Sequence, residues 1–422
     1  MMNKTGLNDT YLFFNNSVVI IIAMLLSLLK LREGGLMNIA VIDADLIGRN
    51  KHRFPNLACM KISGYYKGLG HTVELKLNYD DLGKYDKVFI SKVFTDTPIR
   101  EEVLNYENVQ YGGTGFFYDN APNLPYEIEH HMPDYHLYDD FINSEIERGI
   151  GRNEFKDYLD TSIGFTTRGC FRKCEFCVNK KYNTAFAHSP VSEFLDPDRK
   201  YISLGDDNFL AFPGWREILK DLKATNKRFQ FKQGLDIRLM TDEKAELFKD
   251  AKYYGDYIFA FDFIGDKEII EKKLEVWRRH VTKSTKLYLF TGFDREDKYD
   301  DAFWRQDIID LFERIKILHK YNCKPYVMRH MNYNNSPHKG IYIAIAAWAN
   351  QPAFFKKMTF AEYCIKKGIS NKVYHKYKDN HQQYIADGYN KGATWRYLEE
   401  FNKVHPDIVE KYFHLTFDKE MI

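Results

Sequence analysis

From Asn38 onward, short apolar runs alternate with stretches whose apolar residues recur at helical spacing. In a first series, Asn38–Asp43, Thr72–Leu75 and Lys87–Ser91 have the length and composition of strands. Between the first two, Leu57–Leu69 reads as a helix that stops at Gly70, a residue suited to the left-handed position after a helix. Asn108–Tyr111 leads into Gly112-Gly113-Thr114-Gly115, read as a tight turn. Ala121–Arg148 has no clear period and is rich in Pro, Tyr, His and acids, which predicts a solvated crossing between domains. A second series follows, with strands expected at Ser162–Thr167, Tyr201–Leu204, Arg228–Lys232, Tyr257–Phe261, Lys286–Thr291 and Lys324–Met328. Helical stretches such as Trp215–Ala224, Asp242–Lys249, Asp266–Arg278 and Trp304–Tyr321 lie between them. The pattern predicts a small parallel α/β domain, then a barrel or partial barrel, then a helical and polar-aromatic segment after Gly340.

The front of the chain departs from this pattern. Val18–Leu29 is apolar except for Ser27, marginal in length for a membrane-spanning helix. It makes a poor signal peptide, with one basic residue ahead of it and no small-residue cleavage site after it. Arg32-Glu33-Gly34-Gly35-Leu36 stands just before Met37, and Glu-Gly-Gly codons can spell a purine-rich ribosome-binding sequence. The expectation is that translation begins at Met37 and that residues 1–36 precede the native start. The other reading is an N-terminal anchor, with Lys30 and Arg32 on the inner side.

Composition narrows the class. With 44% hydrophobic and 28% charged residues over 422 positions, the chain can bury a sizeable core and is not a disordered protein. The net charge of +2 gives no global signal for nucleic acid or an acidic surface. Six cysteines are too few for a secreted disulfide scaffold.

Three of those six fall within eight residues, as Cys170-Phe-Arg-Lys-Cys174-Glu-Phe-Cys177. The spacing is C-x3-C-x2-C, directly after an expected strand. Three thiolates on one loop can hold three irons of a four-iron cluster, and the fourth iron then keeps an open position for a non-protein ligand. Arg168, Arg172 and Lys173 bring positive charge beside the loop, which would favour thiolates and offset a negative cluster. The alternative for the same residues is a zinc site with His188 as fourth ligand, although zinc prefers paired C-x2-C units and no second pair exists here.

The C-x3-C-x-aromatic-C pattern, with Phe176 as the aromatic, resembles the signature of the radical SAM enzymes. The resemblance covers residues 160–345, and the order of domains resembles the cobalamin-binding branch of that superfamily with a degenerate N-terminal domain. It implies a flavodoxin-like (Rossmann-like) parallel-sheet domain over residues 37–150, a partial (β/α)6 TIM-type radical SAM barrel over 151–345 and a helical C-terminal cap over 346–422. It further implies that Cys170, Cys174 and Cys177 hold a [4Fe–4S] cluster. The cluster would bind S-adenosylmethionine (SAM) and cleave it reductively, giving a 5′-deoxyadenosyl radical that abstracts hydrogen from a substrate.

The same resemblance points to loops at strand C-terminal ends for the SAM contacts. Phe176 would lie near the adenine. Asp206, Asp207 and Asn208 would accept hydrogen bonds from the SAM amino group, or else form a helix-capping turn. Gln233 or Asp236 would bind ribose and Arg238 the SAM carboxylate, with a structural ion pair as the other reading. Thr291 and Gly292 would let the adenosine approach the backbone, and Arg329 could face substrate or form a rim ion pair.

Other features limit the family branch. The cobalamin signature D-x-H-x-x-G is replaced by Asp43-Ala44-Asp45-Leu46-Ile47-Gly48, without a histidine, so cobalamin is not expected as a cofactor. Cobalamin-dependent methyl transfer stays as the alternative within the enzyme class, and a non-catalytic iron–sulfur module as the alternative outside it. Cys59, Cys323 and Cys364 read as isolated buried thiols. The aromatic and basic C-terminal segment could stack on nucleic acid, but near-zero net charge favours packing. The expected setting is a reducing cytoplasm with a low-potential flavodoxin or ferredoxin as electron donor and no stable membrane association.

Overall fold

The computed structural model describes residues 35–49, 52 and 54–417. The apolar run at 18–29 lies outside these residues, as does the chain ahead of residue 35, while Met37 lies within them. The chain forms two compact units: one runs through Thr161 and takes in Glu193–Asp198, and the other comprises Ser162–Ser192 and the chain from Arg199 on.

In the first unit β1 (Asn38–Asp43), β2 (Thr72–Leu75), β3 (Lys87–Ser91) and β4 (Val109–Gly112) form one parallel sheet in the order β2-β1-β3-β4. Strand β1 is apolar at every interior position because both its faces are covered. Ile39 and Val41 join a core with Cys59, Met60 and Phe89, while Ala40 and Ile42 face Val88, Ile90 and Leu82 on the other side. The helix Leu57–Gly68 starts at Asn56, whose side chain accepts from the Cys59 N–H, and Gly70 follows it at φ +88°. The glycine turn is a close backbone approach: a Cβ on Gly113 would sit 2.2 Å from the Lys92 carbonyl oxygen.

Residues 121–148 are not a solvated crossing. Ile128, Tyr135, Leu137, Tyr138 and Ile142 are buried in the core of the first unit. The polar residues there are tied to that unit as well: Asp134 accepts from Ser63 and Lys67, Glu129 pairs with Lys61 at 2.8 Å, and His130 lies 2.8 Å from Glu193. The segment lacks a period because its backbone is irregular, yet its apolar side chains still find a common core.

The second unit opens with β5 (Thr161–Gly164) and a two-residue antiparallel pair, β6 (Thr167–Arg168) with β7 (Phe186–Ala187). The strands β8 (Tyr201–Leu204), β9 (Arg228–Phe231), β10 (Tyr257–Ala260), β11 (Thr285–Thr291) and β12 (Cys323–Arg329) complete it. They form two sheets, β5-β8-β9 and β10-β11-β12, with parallel pairing of β8 to β9, β10 to β11 and β11 to β12. Parallel bridges Phe229↔Tyr253 and Leu235↔Phe259 link one sheet to the other. In β11 burial alternates: Thr285, Leu287, Leu289 and Thr291 face inward among helices, and Lys286, Tyr288 and Phe290 are half-buried on the other face. The helix Lys267–His280 buries Ile270, Leu274 and Trp277, and the helix Asp301–Lys320 buries Trp304, Ile308, Leu311 and Ile315. Beyond β12 the chain is helical, and Trp348, Tyr363, Tyr377, Tyr384 and Trp395 are buried, whereas Tyr389 and Tyr397 are exposed. Among the described residues no helix is long and apolar enough to cross a membrane.

Candidate active site

Beyond β5 the chain runs through Phe165, Thr166 and Thr167 to the cysteines. Asp206, just past β8, fixes that approach. Its buried carboxylate accepts from the N–H and hydroxyl of Thr166 at 2.9 and 2.5 Å, and from both groups of Thr167 at 2.8 Å. Burial outweighs those four bonds and pushes the Asp206 carboxyl up to about 6. Asp207 holds the loop itself. It accepts from the Gly169 N–H at 2.7 Å and from Asn179 Nδ2 at 2.7 Å, and Arg168 stands 3.5 Å away. One carboxylate thus ties the residue before Cys170 to the residue two places after Cys177. Gly169 has φ +87°, and a Cβ there would meet the Thr184 carbonyl oxygen at 2.2 Å, so this turn needs glycine.

Three nitrogen donors point at the sulfurs. Asn208 Nδ2 and the Arg172 N–H donate to Cys170 Sγ at 3.3 and 3.4 Å, and the Asn179 N–H donates to Cys177 Sγ at 3.3 Å. The other side-chain atom of Asn208, Oδ1, is buried without a hydrogen-bond partner. Cys170 acts on both of the other thiols, and Cys177 acts on Cys174. Burial raises the Cys174 thiol most, with Asp262, Cys177 and Cys170 adding to the rise and Arg238 opposing it. Burial also raises Cys177, against the Asn179 bond and with Cys170. A metal-bound cysteine is deprotonated, so filling this loop with iron releases protons.

The basic residues near the loop are not free to favour thiolates. Arg172 is bound to Asp236, Arg168 lies beside Asp207 with its guanidinium 4.2 Å from the Phe165 ring, and Lys173 donates to the Lys180 and Tyr182 carbonyls. Their work is to brace the loop. Phe176 lies in an aromatic cluster, 4.2 Å from the Phe290 ring and 5.8 and 5.9 Å from Phe293 and Phe263.

The remaining expected contacts fall into two structural groups. Asp236 takes Arg172 on one oxygen and Arg238 at 2.8 Å on the other, and Arg238 reaches on to Asp266 at 2.7 Å. These bonds hold the Asp236 carboxyl low against the cost of its burial. Both members of the expected ribose and carboxylate pair are therefore engaged in one ion-pair chain. Gln233 is exposed on the turn before Gly234. Thr291 and Gly292 are held by Asp307, which accepts from the threonine hydroxyl at 2.6 Å, the glycine N–H at 2.8 Å and Tyr342 at 2.8 Å. The space beside Gly292 is filled by Tyr333, whose Cβ lies 3.0 Å from an added Cβ.

Four residues at this edge were not singled out from the sequence. Asn179 closes the cysteine loop, and Asp307 organises the end of β11. Asp262, beyond β10, is pushed up to about 6 by burial, with Arg314 and Arg238 pulling the other way. Arg314 is buried and donates to the Phe261, Asp262 and Phe290 carbonyls at 3.0, 2.5 and 2.8 Å. A sequence signal existed for Asp307 and Arg314: each stands on the apolar face of the helix Asp301–Lys320, at helical spacing from Trp304, Ile308 and Leu311. At the end of β12 the Arg329 side chain lies over Tyr333, 4.4 Å to the ring centre, and its Nη1 is buried without a hydrogen-bond partner. His188 sits at the end of β7 with Nδ1 3.1 Å from the Ser189 hydroxyl.

No family model and no curated protein matches the chain. Among solved structures it is similar to TsrM from Kitasatospora setae, a radical S-adenosylmethionine methyltransferase with cobalamin and a [4Fe–4S] cluster bound. The two share 12% identity with a TM-score of 0.46, over 70% of this chain and 75% of that one. It is also similar to OxsB, a cobalamin-dependent S-adenosylmethionine radical enzyme with aqua-cobalamin bound, at 13% identity and a TM-score of 0.33, over 70% of this chain and 49% of that one. The expectation against cobalamin is corrected by these structures, since both hold it. That expectation rested on one missing histidine in 43–48, and the absence of a single ligand does not exclude the group.

Proposed function

We infer that the protein is a radical SAM enzyme in which Cys170, Cys174 and Cys177 hold a [4Fe–4S] cluster. The observation that supports this most is the loop itself: three thiols within eight residues, two of them receiving N–H···S bonds, closed at both ends by Asp207. The donor set suits a cluster with one open iron, and hydrogen bonds to sulfur are among the levers that tune such a centre. In this reading the six strands form a partial (β/α)6 barrel whose loops beyond the strand ends carry the chemistry. When bound, the cluster supplies the electron and the open iron position for reductive cleavage of SAM.

The chain's own residues then have distinct tasks. The partnerless Asn208 Oδ1 suits an ammonium group, and the partnerless Arg329 Nη1 suits a carboxylate. The zwitterionic end of SAM offers both. Phe176, Phe290 and Phe293 give the adenosine an apolar wall that keeps water out. Asp206 and Asp207 hold the loop, and the Arg172–Asp236–Arg238–Asp266 chain keeps its flank rigid. A low-potential flavodoxin or ferredoxin in a reducing cytoplasm is the electron donor in this reading.

Anaerobic reconstitution tests it. The protein should take up about four irons per chain, lose them on Cys174→Ala, and release 5′-deoxyadenosine with dithionite and SAM. Reconstituted protein that never cleaves SAM would leave a non-catalytic module. Cobalamin-dependent methyl transfer is the second reading, favoured by the parallel β2-β1-β3-β4 sheet of the first unit, because such sheets bind ligands beyond their strand C-termini. A corrinoid absorbance that stays with the protein through gel filtration supports it.

A further inference from the structure

At the end of the second unit opposite the cysteine loop, where β8 to β11 begin, lies a pocket of about 790 Å³. Tyr201 opens β8 and Arg228 opens β9, while Tyr253–Gly255 and Lys283 lead into β10 and β11. The lining carries Lys200, Lys227, Arg228, Lys252 and Lys283 and no aspartate or glutamate. In a chain with a net charge of +2, this is a local concentration of positive charge.

Two of the cations, Lys252 and Lys283, donate to neutral oxygens, Asn226 Oδ1 and the Tyr253 carbonyl. Lys227 donates to the Arg199 carbonyl at 2.7 Å. A carbonyl fixes where an ammonium points without cancelling its charge. Burial, and then the charge of Arg228, lowers the Lys283 ammonium below its ordinary range, against the opposing charge of Asp256. Like charges crowded this way raise the free energy of the empty pocket, and an anion relieves the repulsion. One wall is aromatic, with the Tyr201 and Tyr254 rings 4.6 Å apart.

We propose that this pocket binds a nucleoside di- or triphosphate, with its phosphates against Arg228, Lys252 and Lys283 and its base on the tyrosine wall. The volume falls in the range of roughly 300–1,000 Å³ usual for small-molecule sites. A guanidinium beside ammonium groups suits a compact, multiply charged phosphate chain, and a tyrosine face suits a flat base. A nucleic-acid track would call for basic residues spread along a surface, and here they converge on one hollow. The proposal does not depend on the cysteine loop holding a cluster, since the pocket lies at the other end of the strands.

Isothermal titration of the full chain with pyrophosphate, ADP and ATP tests it. ADP or ATP should bind with Kd below about 1 mM, and adenosine, lacking phosphate, should bind at least about tenfold more weakly. Arg228→Glu with Lys283→Glu should weaken ADP at least about tenfold, and Cys174→Ala should leave ADP binding unchanged. The milder Lys252→Gln and Arg228→Gln variants, checked by circular dichroism, should each weaken ADP severalfold and serve if the double charge reversal does not fold. Wild-type protein that binds none of the three phosphates, or charge-reversed protein that folds and binds ADP as wild type does, overturns the proposal. A single-stranded oligonucleotide that displaces ADP and binds more tightly overturns it in favour of a nucleic-acid site.

Discussion

Replacing Asp207 with alanine removes both clasps of the cysteine loop in one change. The carboxylate accepts from the Gly169 N–H and from Asn179 Nδ2, each at 2.7 Å, and Arg168 lies 3.5 Å away. Hydrogen bonds to a charged acceptor contribute roughly 1.5–3 kcal/mol each. Losing two therefore costs the ordered loop about 3–6 kcal/mol, before the freed N–H groups find water. Asn179 is half-buried and can reach water, whereas Gly169 is buried, so about 3 kcal/mol is a lower figure for the net cost. At 1.36 kcal/mol per factor of ten, that lowers the population of the closed loop by more than about a hundredfold. The cost should fall on iron retention, because the strands beneath the loop keep their own pairing and local order can be lost without global unfolding. The assay is iron and sulfide content after anaerobic reconstitution and repeated desalting, with far-UV circular dichroism and thermal melting alongside. Asp207→Ala should melt within a few degrees of wild type and yet retain well under half of its iron. Asp207→Asn, which keeps one acceptor oxygen, should fall between the two. An alanine variant that holds iron as wild type does through the same washes would refute the clasp.

Other substitutions probe the frame around that loop. Arg314→Met leaves the Phe261, Asp262 and Phe290 carbonyls without their buried donor and should cost roughly 3–5 kcal/mol in urea denaturation; a loss under about 1 kcal/mol would contradict the role given to it. Asp206 has its carboxyl raised from 3.8 to about 6, so its protonated form stabilises the fold below that range and the contribution is lost as pH rises through about 6. Wild type should therefore gain about 1 kcal/mol relative to Asp206→Asn between pH 7 and pH 5, and a gap that stays flat or shrinks on acidification would rule this out. Cys323→Ala and Cys364→Ala, both buried away from the loop, should leave iron content per folded chain unchanged, and a loss of iron in either would mean a fourth protein ligand.

The strands β1 and β3 were legible because each is a short apolar run bounded by turn residues, as burial on both faces of a parallel sheet demands, whereas the edge strands β2 and β4 bury no residue and are marked only by their place in the alternation. The cysteine loop was legible because C-x3-C-x2-C is local. What the chain order hides is who faces whom across forty residues. Asp206, Asp207 and Asn208 carry acceptors suited to a ligand ammonium, and from sequence nothing separates them. In the structure two of the three are taken by Thr166, Thr167, Gly169 and Asn179, and one atom of the third is left over. The same holds for Arg238, whose charge fits a ligand carboxylate equally well until Asp236 and Asp266 are seen beside it. Residues 121–148 failed for another reason: burial there follows a shared core, and irregular backbone gives burial no period to read.

These observations change what the charge around the cysteines is for. Read along the chain, Arg168, Arg172 and Lys173 look like a device for lowering thiol pKa values. In space Arg172 is bound by a carboxylate, Lys173 by two carbonyls, and Arg168 stands beside Asp207 and over the Phe165 ring, while the Cys174 and Cys177 thiols stay above their ordinary value, chiefly through burial. With Cys174 and Cys177 raised in this way, an empty loop holds their protons near neutral pH and accepts iron only with loss of them. Cluster assembly should then be faster at higher pH, while the assembled loop, braced by fixed ion pairs, should hold its metal with little dependence on pH above neutrality. Rates of iron uptake between pH 7 and pH 9, set against retention over the same range, separate this from a loop of pre-formed thiolates, for which both would be flat.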